Sequence, residues 1–237
     1  MEINTQYRTQ DTEIMDDFSL QGEELQAALD QIAQINQLLG GNKLTLHGIR
    51  KLLKQSNPAK PITIADIGCG NGDMLRMLAN FGKENNFNFN LIGIDANNFT
   101  INYAKKLSSE YSNIEYIGVD IFSEDFKTIK YDIVLCTLTL HHFTNEEILN
   151  IITTFNNNAH IGIVINDLHR NKLAYRLFEL ICVIFNLKRM SRKDGLVSIL
   201  RGFKRNELEE FSKKLNLKNY SINWKWAFRY QWIIAKT

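Results

Sequence analysis

The chain of 237 residues has only two prolines, Pro58 and Pro61, both in the segment SNPAKP. Proline is the residue that breaks helices and strands from within, so almost the whole sequence is free to form uninterrupted elements. Cysteine is also sparse. Cys69, Cys136 and Cys182 are far apart and form no C-x-x-C pair. That excludes a disulfide framework and a cysteine zinc site, and it fits a reducing, cytoplasmic location. Charge of one sign is lacking too, because the formal net charge is +2. The whole-molecule field therefore calls for no polyanionic partner, and no nucleic acid is expected. No apolar run reaches the ~20 residues of a membrane span. The most apolar stretch, Leu173 to Leu187, carries Arg176 and Glu179 in its interior. The opening MEINTQYRTQDTEIMDD has no apolar core of the kind a signal peptide needs.

What is present reads as a globular domain, with 44% hydrophobic and 23% charged residues. Leu25, Ala28, Leu29, Ile32, Ile35 and Leu39 recur at helical spacing until Gly40-Gly41, and a second short helix is expected over 46–54. Beyond SNPAKP the pattern changes. Short apolar runs, ITIADI (62–67), FNLIGID (89–95), IEYIGV (114–119), YDIVLCT (131–137) and IGIVIND (161–167), alternate with amphipathic stretches around 73–83, 98–109 and 145–156. Apolar runs of this length without polar alternation suit strands covered on both faces, and their alternation with helices predicts βαβ units. After a helix near 205–215, Tyr220, Ile222, Trp224 and Trp226 alternate as in an antiparallel hairpin, completed by FRYQWIIAK.

The chemistry-bearing positions fall at the predicted strand ends. Asp66-Ile-Gly68-Cys69-Gly70-Asn-Gly72-Asp73 follows the first strand and opens a helix. Glycines there let the backbone turn sharply and let a ligand approach helix N–H groups without an intervening Cβ. The spacing is G-x-G-x-G after an acid. The dinucleotide fingerprint G-x-G-x-x-G would need a third glycine where Asp73 stands. Asp95, followed by Ala96, ends the second strand, where a carboxylate can accept from ribose hydroxyls. Gly118-Val-Asp120-Ile121 ends the third strand, and YDIVLCTLTLHHF contains the fourth. Singly, each could be an ordinary turn or cap. Together, and in this order, they line the carboxyl edge of one sheet.

These segments resemble the cofactor motifs of the class I S-adenosylmethionine-dependent methyltransferases. The resemblance implies a doubly wound α/β fold with a Rossmann-like seven-stranded sheet in order 3-2-1-4-5-7-6, the last strand antiparallel. It also implies that Asp66, Gly68, Cys69, Gly70 and Gly72 hold the amino-acid part of S-adenosyl-L-methionine. Asp95 and Ala96 would take its ribose, Asp120 and Ile121 its adenine, and the backbone near Thr137 its methionyl part. The expected organisation is an N-terminal helical lid over 1–60, then a cofactor-binding domain over 61–237 with a helical insertion over 171–202.

If the acceptor is a phenol or alcohol, a general base helps to remove its proton. The candidates are His141 and His142 after the fourth strand, with Asp167 and His169 after the fifth. In relatives of this fold a His and an Asp at these places act as base and orienting partner, although paired histidines there also serve simply to start a helix. No metal is expected, because adjacent histidines at one strand end rarely converge on one ion and no carboxylate lies at a metal-ligand spacing. The insertion contributes an apolar stripe, from Leu173 to Phe185, suited to core, to a subunit interface such as a homodimer's, or to an acceptor pocket. Beside it Lys188, Arg189, Arg192, Lys193, Arg201, Lys204 and Arg205 form either a solvated face or a dock for an acidic group such as a carrier's phosphopantetheine, a coenzyme A ester or a membrane surface.

The expected function is methyl transfer, at oxygen, to a small, largely apolar or aromatic metabolite, free or carrier-bound. This look is similar to bacterial enzymes of quinone and polyketide pathways, in the manner of secondary metabolism. A non-catalytic protein that binds S-adenosylmethionine and an NAD-dependent oxidoreductase are the rivals, the second disfavoured by Asp73 and by the terminal aromatic hairpin.

Overall fold

A computed structural model describes residues 3–54 and 60–236. The predicted break at SNPAKP falls largely outside these residues.

The five apolar runs form parallel strands: β1 (Ile62–Ile67), β2 (Phe89–Asp95), β3 (Ile114–Gly118), β4 (Tyr131–Thr137) and β5 (Ala159–Leu168). The aromatic hairpin adds β6 (Tyr220–Lys225) and β7 (Arg229–Ala235), with β7 antiparallel to both β5 and β6. The seven strands lie in the order β3-β2-β1-β4-β5-β7-β6, as expected. Along β4 the reason for the missing polar alternation is plain. Ile133 and Leu135 enter one core cluster with Leu75, Leu91 and Val164, while Val134 and Cys136 enter another with Ile151, Ile163 and Trp232. Both faces are covered, so the run Ile133 to Cys136 is apolar throughout, and Asp132 and Thr137 stand toward the strand's ends.

The helices are α1 (Glu23–Leu38), α2 (Gly41–Leu53), α3 (Asp73–Glu84), α4 (Asn98–Leu107), α5 (Glu124–Thr128), α6 (Asn145–Asn158), α7 (Lys172–Ile184), α8 (Arg189–Arg201) and α9 (Arg205–Lys214). Two single turns of 3-10 helix, Ile14–Asp16 and Leu140–His142, matter for the site. Helix α2 begins at Gly41, earlier than the periodicity predicts, because Gly40 turns the chain in the left-handed region and Gly41 already starts the next helix. Helix α6 opens with the expected capping box of Thr144 and Glu147. The expected one-sided face of β6 holds only at Ile222. Tyr220 and Trp224 are exposed on β6, the edge strand, and Trp226 is exposed beyond its end, in the turn to β7.

Strand order reverses between β1 and β4, which opens a crevice above their carboxyl ends. Residues from the N-terminal segment and the insertion roof it. Leu25, Ala28 and Leu29 of α1 pack with Met190 of α8 in a third, smaller cluster, joined by Ile14 and Met15. Among the described residues no helix is long and apolar enough to cross a membrane.

Candidate active site

A cavity of about 580 Å³ fills the crevice. At its floor the glycine loop leaves β1. Gly68, Gly70 and Gly72 all have positive φ, of 67°, 51° and 77°. A Cβ on Gly68 would lie 2.4 Å from Thr139 Oγ1, and one on Gly72 would lie 2.0 Å from the Tyr116 hydroxyl. Steric necessity thus explains both glycines. Gly68, Cys69 and Gly70 line the cavity; Gly72 serves the turn and begins α3 instead. The loop is held from above, since Asn71 Nδ2 donates to Asp30 Oδ1 of α1 at 2.9 Å. The Tyr103 hydroxyl donates to the other Asp30 oxygen at 2.7 Å.

Asp66 is buried under the loop, and its Oδ1 has no partner. Burial, reinforced by Asp73 and Asp95, pushes its carboxyl well above the ordinary range. Asp95 accepts from the Asn97 N–H at 2.9 Å and more loosely from the Gly70 N–H at 3.4 Å, and burial raises it as well. Ala96, Asp120, Ile121 and Thr137 also line the cavity. Asp120 is exposed and accepts from the Phe122 N–H at 2.9 Å, which orients the β3 end. The Thr137 hydroxyl meets that of Thr45 at 3.0 Å, so α2 supports the end of β4.

The opposite wall carries a cluster of histidines and carboxylates. His141 Nδ1 lies 2.7 Å from Asp167 Oδ1, and the His141 N–H donates to Asp167 Oδ2 at 3.2 Å. His142 stacks on His141 with ring centroids 4.4 Å apart, and its Nδ1 lies 2.7 Å from Asp16 Oδ1. Both Nε2 atoms turn to Glu13, at 3.5 Å for His141 and 3.9 Å for His142. Burial alone would lower the His141 pKa, but Asp167 and Glu13 overcome it and raise it to about 9. In return His141 holds the Asp167 carboxyl below its ordinary value against the opposing effect of burial. His142 is the more open of the two histidines, with its side chain 25% exposed against 2% for His141.

His141, His142 and Asp167 are therefore brought together, with Asp167 behind His141. His169 is not. It lies further along the cavity wall, where its Nδ1 accepts from Trp224 Nε1 at 3.2 Å and its ring packs against Tyr230. Sequence reasoning placed Glu13 and Asp16 in a lid but missed them as members of this cluster. It also missed Ser198, whose hydroxyl donates to Glu13 Oε2 at 2.8 Å. Asp194 of α8 accepts from the Ile14 and Met15 N–H groups at 2.7 and 2.9 Å, fixing the segment that carries Glu13. Two members of the expected basic dock are used internally. Arg201 pairs with Asp16 at 2.7 Å, and Arg205 pairs with Glu209 at 2.7 Å.

With this geometry in place, the comparison with known proteins is decisive for family. A family model described as Methyltransferase domain matches residues 59–226. The chain belongs to that methyltransferase family. S-adenosyl-L-methionine is the cofactor of such enzymes. The floor of the cavity fits it, with a glycine cradle, a strand-end carboxylate and an unpartnered buried oxygen on Asp66 that can accept from an ammonium group. A ubiquinone biosynthesis O-methyltransferase of Rickettsia canadensis is 33% identical over 134 residues, covering 54% of this chain and 52% of the relative. The chain spans between a third and about half of the length of the curated relatives it matches, 34% to 52%. Two solved structures share the fold. The plantazolicin methyltransferase BpumL, solved with S-adenosylhomocysteine (SAH), has a TM-score of 0.64 at 18% identity, covering 90% of this chain and 94% of that one. The plantazolicin methyltransferase BamL has a TM-score of 0.67 at 16% identity, covering 90% and 96%.

Proposed function

We propose that this methyltransferase domain transfers a methyl group from S-adenosyl-L-methionine to a hydroxyl or phenol oxygen of a small, largely apolar or aromatic acceptor. The observation that carries the reading is the placement of His142. It faces a cavity whose acceptor side is walled by Phe18, Phe143, Leu177, Phe178, Ile181 and Trp226, and it is steadied from behind by Asp16. A pocket of mostly apolar lining with a few aimed polar groups is the usual form of a small-molecule site.

When bound, the cofactor supplies a sulfonium-activated methyl carbon; the acceptor oxygen's lone pair forms the new O–C bond while the C–S pair stays on sulfur, giving a methyl ether and S-adenosylhomocysteine. The chain does the rest. Asp66, Asp95, Ala96, Asp120, Ile121 and the loop around Gly68, Cys69 and Gly70 fix the cofactor, with Gly72 shaping the turn and Thr137 bordering the methionyl part. His142 Nε2 takes the acceptor proton. Asp167 and Glu13 favour the charged form of the buried His141, which suits it less to be that base than the more open His142; it positions its neighbour by stacking. His169 shapes the acceptor wall. The apolar roof excludes water and holds the reacting atoms in line. A carrier-bound acceptor or a homodimer would use the exposed face of α7, where Leu173, Leu180, Val183 and Ile184 stand in solvent.

The test is calorimetric titration with S-adenosylhomocysteine and, in parallel, NADH, followed by an acceptor screen that starts with phenols and quinols. Binding of the homocysteine product alone, with turnover of a hydroxylated aromatic, is expected. Binding of NADH alone would overturn the reading. Product binding without turnover of any acceptor would favour a non-catalytic binding protein.

A further inference from the structure

In the histidine cluster both Nδ1 atoms and one Glu13 oxygen are occupied; His141 Nε2 and Glu13 Oε1 are left over beside each other, and His142 Nε2 lies 3.9 Å from the other Glu13 oxygen. The Nδ1 of His141 is held by Asp167 and that of His142 by Asp16, each at 2.7 Å. One oxygen of Glu13 accepts from Ser198 at 2.8 Å. His141 Nε2 and Glu13 Oε1 are buried, 3.5 Å apart, and neither has a hydrogen-bond partner. One ligand atom from each of Glu13, His141 and His142 lies within 4.8 Å of the others.

We propose that Glu13, His141 and His142 form a binding site for a divalent first-row transition ion of the zinc type, on the acceptor side of the cavity. Four-coordinate zinc with ligands at 2.0–2.2 Å holds neighbouring ligand atoms roughly 3.3 Å apart. His141 Nε2 is near that spacing from Glu13 Oε1, at 3.5 Å, while His142 Nε2 is 3.9 Å from the other oxygen, Oε2, so a small turn of the carboxylate is needed to bring one oxygen to both. Two imidazoles and one carboxylate suit such an ion, and three protein ligands leave a position open, as catalytic sites do. The carboxylates behind each Nδ1 are the outer partners that fix the tautomer and orientation of metal-bound histidines, which makes Asp167 and Asp16 positioning residues. Arg201 lies 3.5 Å from Glu13 Oε1 and is already tied to Asp16 at 2.7 Å.

The inference rests on the methyl-transfer reading and replaces one part of it, the proton acceptance by His142, whenever the ion is bound. With the ion bound, His142 is a ligand. The acceptor oxygen occupies the open position, and its proton leaves to solvent from an oxygen made more acidic by the cation. The acceptor class narrows to one whose hydroxyl oxygen can coordinate a metal.

To test this, the full chain is stripped with a chelator and titrated with Co²⁺ alone and with Zn²⁺ alone. Calorimetry and the ligand-field absorption of Co²⁺ follow the binding, and S-adenosylhomocysteine affinity is measured on the same preparations. One saturating equivalent of metal is expected in the parent. Asp16→Asn should weaken it about 10- to 100-fold. Glu13→Gln and His142→Asn should abolish it, with S-adenosylhomocysteine affinity kept in all three. No saturable binding in the parent, or equal binding in every variant, overturns the metal site and leaves methyl transfer standing. Failure of the parent to bind S-adenosylhomocysteine overturns methyl transfer instead, while the metal titration still decides the ion site.

Discussion

Asp167 on β5 and His141 after β4 meet at 2.7 Å, each with about 2% of its side chain exposed to solvent. The carboxylate also accepts from the N–H groups of His141 and Leu168, so three donors converge on it. Such a pair is costly to break on one side only. Asp167→Ala should destabilise the fold by about 3–5 kcal/mol, because the charge on His141 loses its nearest counter-ion in a buried setting. Urea denaturation of parent and variant measures this. A loss below about 1 kcal/mol would mean that the pair is not the buried ion pair described.

Asp95 ties stability to binding through pH. Burial raises its pKa above the unfolded value, so the free folded chain binds this proton more tightly than the unfolded chain does. Its contribution to stability is therefore present below the unfolded pKa and is lost as pH rises through the folded pKa. Asp95→Asn keeps the shape without the charge. Its thermal midpoint relative to the parent should climb as pH rises from the ordinary carboxylate range through the raised folded-state pKa. Ribose hydroxyls would donate to the charged form, so the same substitution should weaken S-adenosylhomocysteine binding roughly 10- to 150-fold, or about 1.5–3 kcal/mol. Unchanged affinity would remove Asp95 from the ribose site.

Two glycines in the left-handed region separate strain from collision. Gly22 has φ 97° and open space around its missing Cβ, whereas Gly72 has φ 77° and a Cβ would meet the Tyr116 hydroxyl at 2.0 Å. That hydroxyl is itself held by Ser108 at 2.8 Å. Gly22→Ala should cost only the backbone penalty of a positive-φ, extended conformation, about 1–3 kcal/mol. Gly72→Ala should cost clearly more and weaken cofactor binding as well. Equal losses in denaturant titrations would refute the steric account.

His142→Ala should lower kcat by about 10²- to 10⁴-fold and leave S-adenosylhomocysteine affinity within error of the parent, once an acceptor is in hand. A parallel fall in cofactor affinity would assign His142 to the cofactor instead.

The fold was legible because its signals are local. The apolar runs of β1 to β5 fix a doubly covered sheet, and Asp66, Asp95, Asp120 and Thr137 sit at the ends of those same runs. The glycine loop is legible for the same reason, since its turn is made by neighbours in the chain. The histidine cluster was legible only in half. His141, His142 and Asp167 lie at predictable strand ends. Glu13, Asp16, Ser198 and Arg201 reach them through contacts between residues up to 185 positions apart. No spacing rule carries that information. The basic run divides for a related reason: charge in sequence does not say which face a helix turns inward, so Lys188, Arg189, Arg192 and Lys193 are exposed whereas Arg201 turns inward to Asp16.

The carboxylate that faces the Nε2 edges of the two stacked imidazoles rides on the same short segment that Asp194 and Arg8 fasten over the crevice. Arg8 itself grips the carbonyls of His141 and Phe143 at 2.8 Å. Roof and reactive centre are thus one object, and lifting the first takes apart the second. An open enzyme would be an idle one, unable to act on whatever drifts past. Arg8→Ala should accordingly raise the rate of proteolytic cleavage ahead of Glu13 and lower turnover together. Faster cleavage with full turnover would show that the two are separable after all.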